Sequence, residues 1–253
     1  MRGDDRRVCV VTGRGGYVGG VIADALAVRG FAVRGLSRSG GFVLGEPVPA
    51  VALPTGGVET LVHCAYDFSV SSWAAIRRVN VEGSLRLFEA ADRAGVEQII
   101  FISSLAAYDG CRSLYGRGKI EVERAVLARG GHVIRPGTVF GSRSAGIMGR
   151  LAALVKARRW IPVLRHPRQL YLTCDEDLAA LALHLVETRR PGPSAPWLAA
   201  GPRGWHLQDL VRELARRAGR PVRTVPVPWQ LAWAGLRALE AAGLRHAFRM
   251  TMS

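Results

Sequence analysis

Through the first hundred and forty residues, short β-branched and apolar runs alternate with longer stretches of helical periodicity. Val8–Thr12 reads as a strand, Tyr17–Arg29 as a helix stopped by Gly30, and Phe31–Leu36 as a second strand. Residues 39–57, rich in Gly and Pro, read as loop with one weak strand near Val48–Leu53. Thr60–Ala65 is the next buried strand, Trp73–Ala94 a long helix closed by Gly95, and Gln98–Ser103 a further strand. A helix over Tyr115–Arg129 and a strand at His132–Arg135 follow. Strands that alternate with helices in this way predict a parallel sheet with crossover helices.

Beyond Gly141 the pattern loosens. A helix near Gly146–Arg158, a strand near Gln169–Thr173, a helix over Glu176–Thr188 and a proline-rich loop at Arg190–Pro196 precede two helices, His206–Ala218 and Trp229–Ala242. The expected division is a core of residues 1–140, with 169–189 returning to it, and a small, mostly helical cap from 141–168 and 190–253. Open α/β sheets bind ligands at their C-terminal edge, where such a cap would lie.

Composition narrows the class. The chain has 253 residues, 49% hydrophobic and 22% charged, as in a globular protein, and lacks an apolar run long enough for a membrane span. The charged N-terminus lacks the pattern of a signal peptide. Four scattered cysteines (Cys9, Cys64, Cys111, Cys174) show no CxxC or metal spacing, so no metal site and a cytoplasmic protein with reduced thiols are expected. The net charge of +15 raises the question of nucleic acid. The basic residues are almost all arginine, spread over predicted helix surfaces with no interleaved aromatic platform, which argues against it. A phosphate-bearing cofactor or substrate accounts for part of the charge more simply.

Thr12-Gly13-Arg14-Gly15-Gly16-Tyr17-Val18-Gly19 joins the first strand to the first helix. Gly13, Gly16 and Gly19 have the spacing that allows a tight turn, a close approach of pyrophosphate to the backbone, and close helix–strand packing. The helix N-terminus then offers free N–H groups to phosphate. The second strand ends at Ser37-Arg38, where a site built for NAD(H) places an acid on the ribose. A hydroxyl and a guanidinium suit a 2′-phosphate instead, which favours NADP(H) over NAD(H).

Tyr115 and Lys119 stand four residues apart on a predicted helix, hence on one face. A neighbouring ammonium is expected to pull the phenol pKa down from about 10 and make tyrosine a usable acid or base. Gly116 and Gly118 within that helical turn suggest close approach by a ligand or a late helix start. Ser103-Ser104, at the end of the preceding strand, offers a hydroxyl to a carbonyl oxygen.

With these residues in place, the chain resembles the extended short-chain dehydrogenase/reductase family, which includes nucleotide-sugar epimerases and related reductases. The resemblance runs from the glycine turn through His63-Cys64-Ala65-Tyr66, Asn80-Val81-x-Gly83, Ser103-Ser104 with Ala107-Tyr108, and Tyr115-x-x-x-Lys119. It continues to Arg135-Pro136-Gly137-Thr138-Val139-Phe140-Gly141 and Cys174-Asp175-Glu176-Asp177. It implies a Rossmann-type doubly wound sheet and a catalytic Ser104, Tyr115 and Lys119. It further implies a dinucleotide held by Gly13, Gly16, Tyr17, Val18, Gly19, Ser37, Arg38, Ala65, Asn80, Ser103, Tyr115, Lys119, Pro136, Thr138 and Val139. Tyr66, Asp67, Tyr108 and Arg143 could reach a substrate. Relatives often dimerise through two helices, and Trp73–Ala94 and Tyr115–Arg129 are the candidates for a homodimer.

The chain also departs from the family pattern. Residues 40–60 lack the acid that often contacts adenine, Gly118 replaces a common serine, and only six residues separate Tyr108 from Tyr115. Leu105-Ala106 stand where sugar dehydratases carry acids, which disfavours dehydration. The resulting expectation is an NADP(H)-dependent reductase of a ketone or keto-sugar. Its rivals are an NAD-dependent sugar epimerase and a non-catalytic NADP(H)-sensing regulator.

Overall fold

The strands of the core carry apolar side chains on both faces, and the fold covers both. The computed structural model describes residues 7–55, 57–141, 146–164, 169–228 and 230. Strand β1 (Val8–Thr12) leads into helix α1 (Tyr17–Val28), then β2 (Ala32–Leu36), β3 (Thr60–His63), α2 (Trp73–Ile76), α3 (Glu82–Ala94), β4 (Gln98–Ile102), α4 (Leu114–Leu127) and β5 (His132–Pro136). Next come β6 (Thr138–Phe140), α5 (Gly146–Ala157), β7 (Trp160–Leu164), β8 (Leu170–Cys174) and α6 (Asp175–Thr188). The last are β9 (Trp197–Ala199), β10 (Gly204–Trp205), α7 (Leu207–Arg217) and β11 (Arg223–Val227).

Six strands form one parallel sheet in the order β2-β1-β3-β4-β5-β9. Successive residues of a strand point to opposite faces. Val10, Leu61, Ile99, Phe101 and Val133 therefore pack with Leu87, Phe88, Val122 and Val126 of α3 and α4. Their neighbours Val11, Val62, Ile100, Ile102 and Ile134 pack with Ile22, Leu26, Leu178, Ala182 and Leu185 of α1 and α6. Each fully buried aliphatic side chain contributes roughly 1.5–3 kcal/mol, so both helical layers are needed to cover the sheet. The strand order reverses beside β1, with β2 on one side and β3 on the other. This is the switch point at which such sheets hold ligands.

The described residues divide into two units, one within Met1–Val139 and Thr173–Ala200, the other within Phe140–Leu172 and Gly201–Ser253. In the second unit β7 and β11 pair in parallel from Trp160↔Arg223 to Leu164↔Val227. Val155, Ile161, Val163, Val211 and Ala215 form its small core. β8 and β10 pair antiparallel there through Tyr171↔Gly204 and Leu170↔Trp205.

Several expectations change. The strand near Val48–Leu53 is a 3-10 turn at Ala50–Ala52; Pro47, Pro49 and Pro54 remove the N–H donors a ladder needs. Residues 190–200 belong to the first unit rather than the cap, because β9 pairs with β5. Three residues after a proline-rich loop are too few to show a strand pattern. The second unit is not mostly helical among its described residues, since β7 and β11 were hidden by Pro162 and Pro226. The expected helix Trp229–Ala242 lies outside the described residues except for Gln230. The long helix Trp73–Ala94 is present but contains a π-helical turn, Arg77–Val81, between α2 and α3.

Candidate active site

The glycine turn is shaped by contacts that leave no room for side chains. Gly13 has φ +69°, and a Cβ there would lie 3.0 Å from the Ala65 nitrogen. A Cβ on Gly19 would lie 2.4 Å from the Gly13 carbonyl oxygen, so this glycine lets α1 start directly against the turn. Around Gly15 a Cβ would meet nothing within 4 Å, which leaves the outer face of the turn open. No side chain caps α1 at Gly16, and no acid stands in its first turn. An open glycine face, an uncapped helix start and the absence of an acid together fit a bound pyrophosphate. Tyr17 at this helix start donates its hydroxyl proton to Asp175 at 2.9 Å, and Val18 packs into the α1–α6 core.

Beneath the turn runs a buried polar chain that ties β1 to β3. The Cys64 and Ala65 N–H groups both donate to Thr12 Oγ1 at 3.1 Å, and Thr12 lies 2.7 Å from His63 Nδ1. His63 Nε2 lies 2.8 Å from Ser84 Oγ, which donates to the Asn80 carbonyl. Thr12 already accepts twice and Ser84 has spent its proton. The imidazole therefore accepts at Nδ1 and donates from Nε2. Burial holds His63 neutral, with its pKa pushed down to about 3.

At the end of β2, Ser37 Oγ lies 3.0 Å from Ser39 Oγ. Arg38 is exposed and makes no ion pair among the described residues. Arg14 crosses the strand beside it, since a Cβ on Gly35 would lie 2.3 Å from Arg14 Cδ. Its guanidinium stands 3.6 Å from Asp24. Sequence reasoning missed Arg14, whose position in the turn gives no sign that its side chain folds back over Gly35.

The chemistry-bearing residues come together at the ends of β4 and α4. Ser113 caps α4 by accepting the Gly116 N–H at 3.0 Å. Ser104 stands close enough to the Tyr115 phenol to favour its ionised form, and its Oγ accepts the Ala106 N–H at 3.1 Å. Lys119 is buried and donates to the Ile102 carbonyl oxygen at 2.8 Å. Its Nζ lies 4.6 Å from the ring centre of Phe101, 5.1 Å from Tyr66 and 5.9 Å from Tyr115. Burial pushes the ammonium down to about 8, partly offset by the Glu123 carboxylate.

The expectation for Tyr115 needs correction. Burial pushes its phenol up, and the opposing influence is the neighbouring Ser104 hydroxyl rather than the Lys119 ammonium. The two helical glycines also have another cause than ligand approach. A Cβ on Gly116 would lie 2.2 Å from the Ala106 carbonyl oxygen, and one on Gly118 would lie 3.3 Å from Ile76 Cγ2. They let α4 lie against the 104–107 loop and the π-turn.

Two other sequence-predicted residues have side chains already engaged, and a third is engaged through its backbone carbonyl. Ser103 gives its hydroxyl proton to Glu123. That carboxylate is also held at both oxygens by Arg135, at 2.9 and 2.6 Å. Asn80, turned inward by the π-helical turn, holds the Asp67 backbone by accepting its N–H at 2.7 Å and donating to its carbonyl at 3.0 Å. Pro136 accepts the Leu105 N–H at 2.9 Å, which fixes the serine loop to the end of β5. Thr138 and Val139 follow on β6, partly buried. Tyr66 packs edge-on against Tyr115 at 5.0 Å, and Tyr108 is largely exposed. Arg143 lies outside the described residues. Phe68, stacked on Tyr115, was missed; an aromatic in a serine-bearing loop has no periodicity to mark it.

A doubly wound parallel sheet with an open glycine turn at its switch point and a Ser–Tyr–Lys set beside it defines a Rossmann-type dinucleotide protein. The chain belongs to the NAD dependent epimerase/dehydratase family, whose model matches residues 9–194. It is 30% identical over 209 residues to a ceramide reductase of Caulobacter vibrioides, covering 74% of this chain and 63% of that protein. It is 25% identical over 259 aligned positions to the 4-hydroxy-2-methyl-3-oxo-4-farnesyl-3,4-dihydroquinoline-1-oxide ketoreductase of Stigmatella aurantiaca, covering 88% and 76%. The chain thus spans less than two thirds of the ceramide reductase. The dTDP-4-dehydrorhamnose reductase of Yersinia enterocolitica has the same fold, with a TM-score of 0.78, 18% identity, and coverage of 89% of this chain and 85% of that one. Among the described residues no helix is long and apolar enough to cross a membrane, and no cluster of His, Cys, Asp and Glu could hold a metal.

Proposed function

We propose that the protein is an NADP(H)-dependent carbonyl reductase. The observation that carries this reading is the buried Lys119 ammonium, anchored on the Ile102 carbonyl at 2.8 Å and 5.9 Å from the ring centre of Tyr115, with Ser104 beside the same phenol. Reduction of a ketone needs a proton donor at the carbonyl oxygen, and a phenol with a raised pKa holds its proton at neutral pH. Bound at the glycine turn, a reduced nicotinamide would supply the hydride. Ser104 would orient the ketone oxygen and Tyr115 would release its proton to it, giving an alcohol. Lys119, anchored on Ile102, has ammonium protons left to steady the phenolate and a ribose hydroxyl. The two relatives named as reductases support the direction.

Arg38, together with Arg14 across Gly35, supports NADP(H) over NAD(H), because two guanidiniums suit a 2′-phosphate. A fluorescence titration with NADPH and NADH tests the cofactor. At least tenfold tighter binding of NADPH is expected, and Arg38→Ala should remove most of the preference. Tight NAD⁺ already bound to the purified protein would overturn the reading in favour of an epimerase. Tyr115→Phe should lower turnover by about 10²–10⁴, the usual worth of a positioned proton donor. A variant with full turnover would remove Tyr115 from the role.

A further inference from the structure

The segment leaving β3 is both rigidly held and apolar at its tip. Asn80 clamps the Asp67 backbone through both its amide atoms, and Asp67 Oδ1 accepts the Ser69 N–H at 2.8 Å. The Asp67 carboxylate is thereby turned onto its own loop. On either side of it stand Tyr66 and Phe68, with ring centres 4.7 Å apart. Phe68 stacks on Tyr115 at 5.9 Å with planes 23° apart, while Tyr66 meets the same phenol at 73°. Two rings therefore converge on the proton donor. Phe68 nevertheless remains 57% exposed.

Exposed apolar side chains are ordinary on a protein surface; what sets Phe68 apart is that its exposed ring lies against the reacting phenol, where a substrate's own ring could stack on it. The nearest ammonium, Lys119, is buried and directed to the Ile102 carbonyl. What Tyr66 and Phe68 present beside Tyr115 is ring surface. Diphosphates are held by guanidiniums and N–H groups, whereas a ring edge and a ring face take another ring.

We infer that the Tyr66–Phe68 turn is a substrate platform that selects ketones carried on a flat, apolar ring system, with Phe68 as the specificity-determining residue. This inference rests on the reading of the protein as a carbonyl reductase and narrows the keto-sugar expectation to a different chemical class. The substrate's ring lies on Phe68 while its carbonyl reaches Tyr115 and Ser104. Asn80 is a positioning residue that sets the height of the platform through the Asp67 backbone.

The test compares 1-tetralone, a bicyclic aryl ketone, with dihydroxyacetone and a UDP-linked 4-keto-sugar, each with the full chain and NADPH. Tetralone should have a kcat/KM at least a hundredfold above that of either polar ketone. Phe68→Ala should cut the discrimination between tetralone and dihydroxyacetone about tenfold, chiefly through the KM of tetralone. Phe68→Leu, which keeps apolar bulk but loses the ring, should fall between and serves if the alanine variant fails to fold. Equal losses on all ketones, or a keto-sugar preferred by the wild type, would overturn the platform. Equilibrium binding of tetralone, followed by saturation-transfer NMR, separates this inference from the reading beneath it. If nothing is reduced yet tetralone binds and Phe68→Ala abolishes binding, the platform stands and the reductase reading fails. If tetralone neither binds nor reacts, the platform fails.

Discussion

Replacing Lys119 with methionine should make folding stability respond to pH in a way that isolates one buried charge. Lys119 is 4% exposed, and burial lowers its pKa from 10.5 to about 8. A lysine whose folded pKa lies below its unfolded value destabilises the fold while both states are protonated. That penalty is complete below pH 8 and fades as pH rises from 8 to 10.5. A shift of this size corresponds to about 3 kcal/mol at pH 7 and about 1 kcal/mol at pH 9.5. Methionine keeps the apolar stem, removes the charge and gives up the hydrogen bond to Ile102, a loss of roughly 1–3 kcal/mol that does not depend on pH. The absolute stability change is therefore small. The stability of Lys119→Met relative to wild type should still fall by about 2 kcal/mol between pH 7 and pH 9.5. Urea unfolding of both proteins at the two pH values measures it directly. Cys64 and Tyr66, pushed up to about 12 by burial, are present in both proteins and largely cancel. A stability difference unchanged across that range would refute the account of Lys119 as a desolvated cation held in place for chemistry.

Three other substitutions test the frame around the site. Gly13→Ala places a Cβ 3.0 Å from the Ala65 nitrogen at φ +69°; it should cost about 1–3 kcal/mol in thermal unfolding and weaken NADPH binding at least tenfold. Glu123→Ala leaves Arg135 without its bidentate partner and Ser103 without its acceptor, and should lower stability by roughly 3–5 kcal/mol in urea. His63 predicts acid lability: its folded pKa of about 3 lies below the ordinary 6.5, so its contribution is complete above pH 6.5 and declines as pH falls toward 3. By pH 4.5 that loss is about 2–3 kcal/mol, and His63→Gln should show a correspondingly flatter profile in urea titrations.

The parts of this site legible in the sequence are those set by backbone geometry over short spans. Gly13 and Gly19 can be read because the turn admits no Cβ, and Tyr115 and Lys119 because four residues make one helical face. What escaped depends on partners far apart in the chain. Glu123 meets Ser103 and Arg135 only after α4 is laid along β4 and β5, and no local pattern marks a buried carboxylate with two such partners. Gly116 and Gly118 are visible as glycines, yet their reason, the Ala106 carbonyl and Ile76, appears only in the packed helix. Asn80 shows the limit most clearly. Its motif marks it as a site residue, but its work requires the π-helical turn that swings its amide onto Asp67. That turn in turn fixes Phe68 against the phenol. Substrate choice in this fold would then be set by an aromatic with no sequence signature, held by an asparagine that has one. For that reason Asn80→Ala should raise KM for an aryl ketone more than it lowers kcat, and an equal fall in kcat for every ketone would place Asn80 among the general supports of the fold instead.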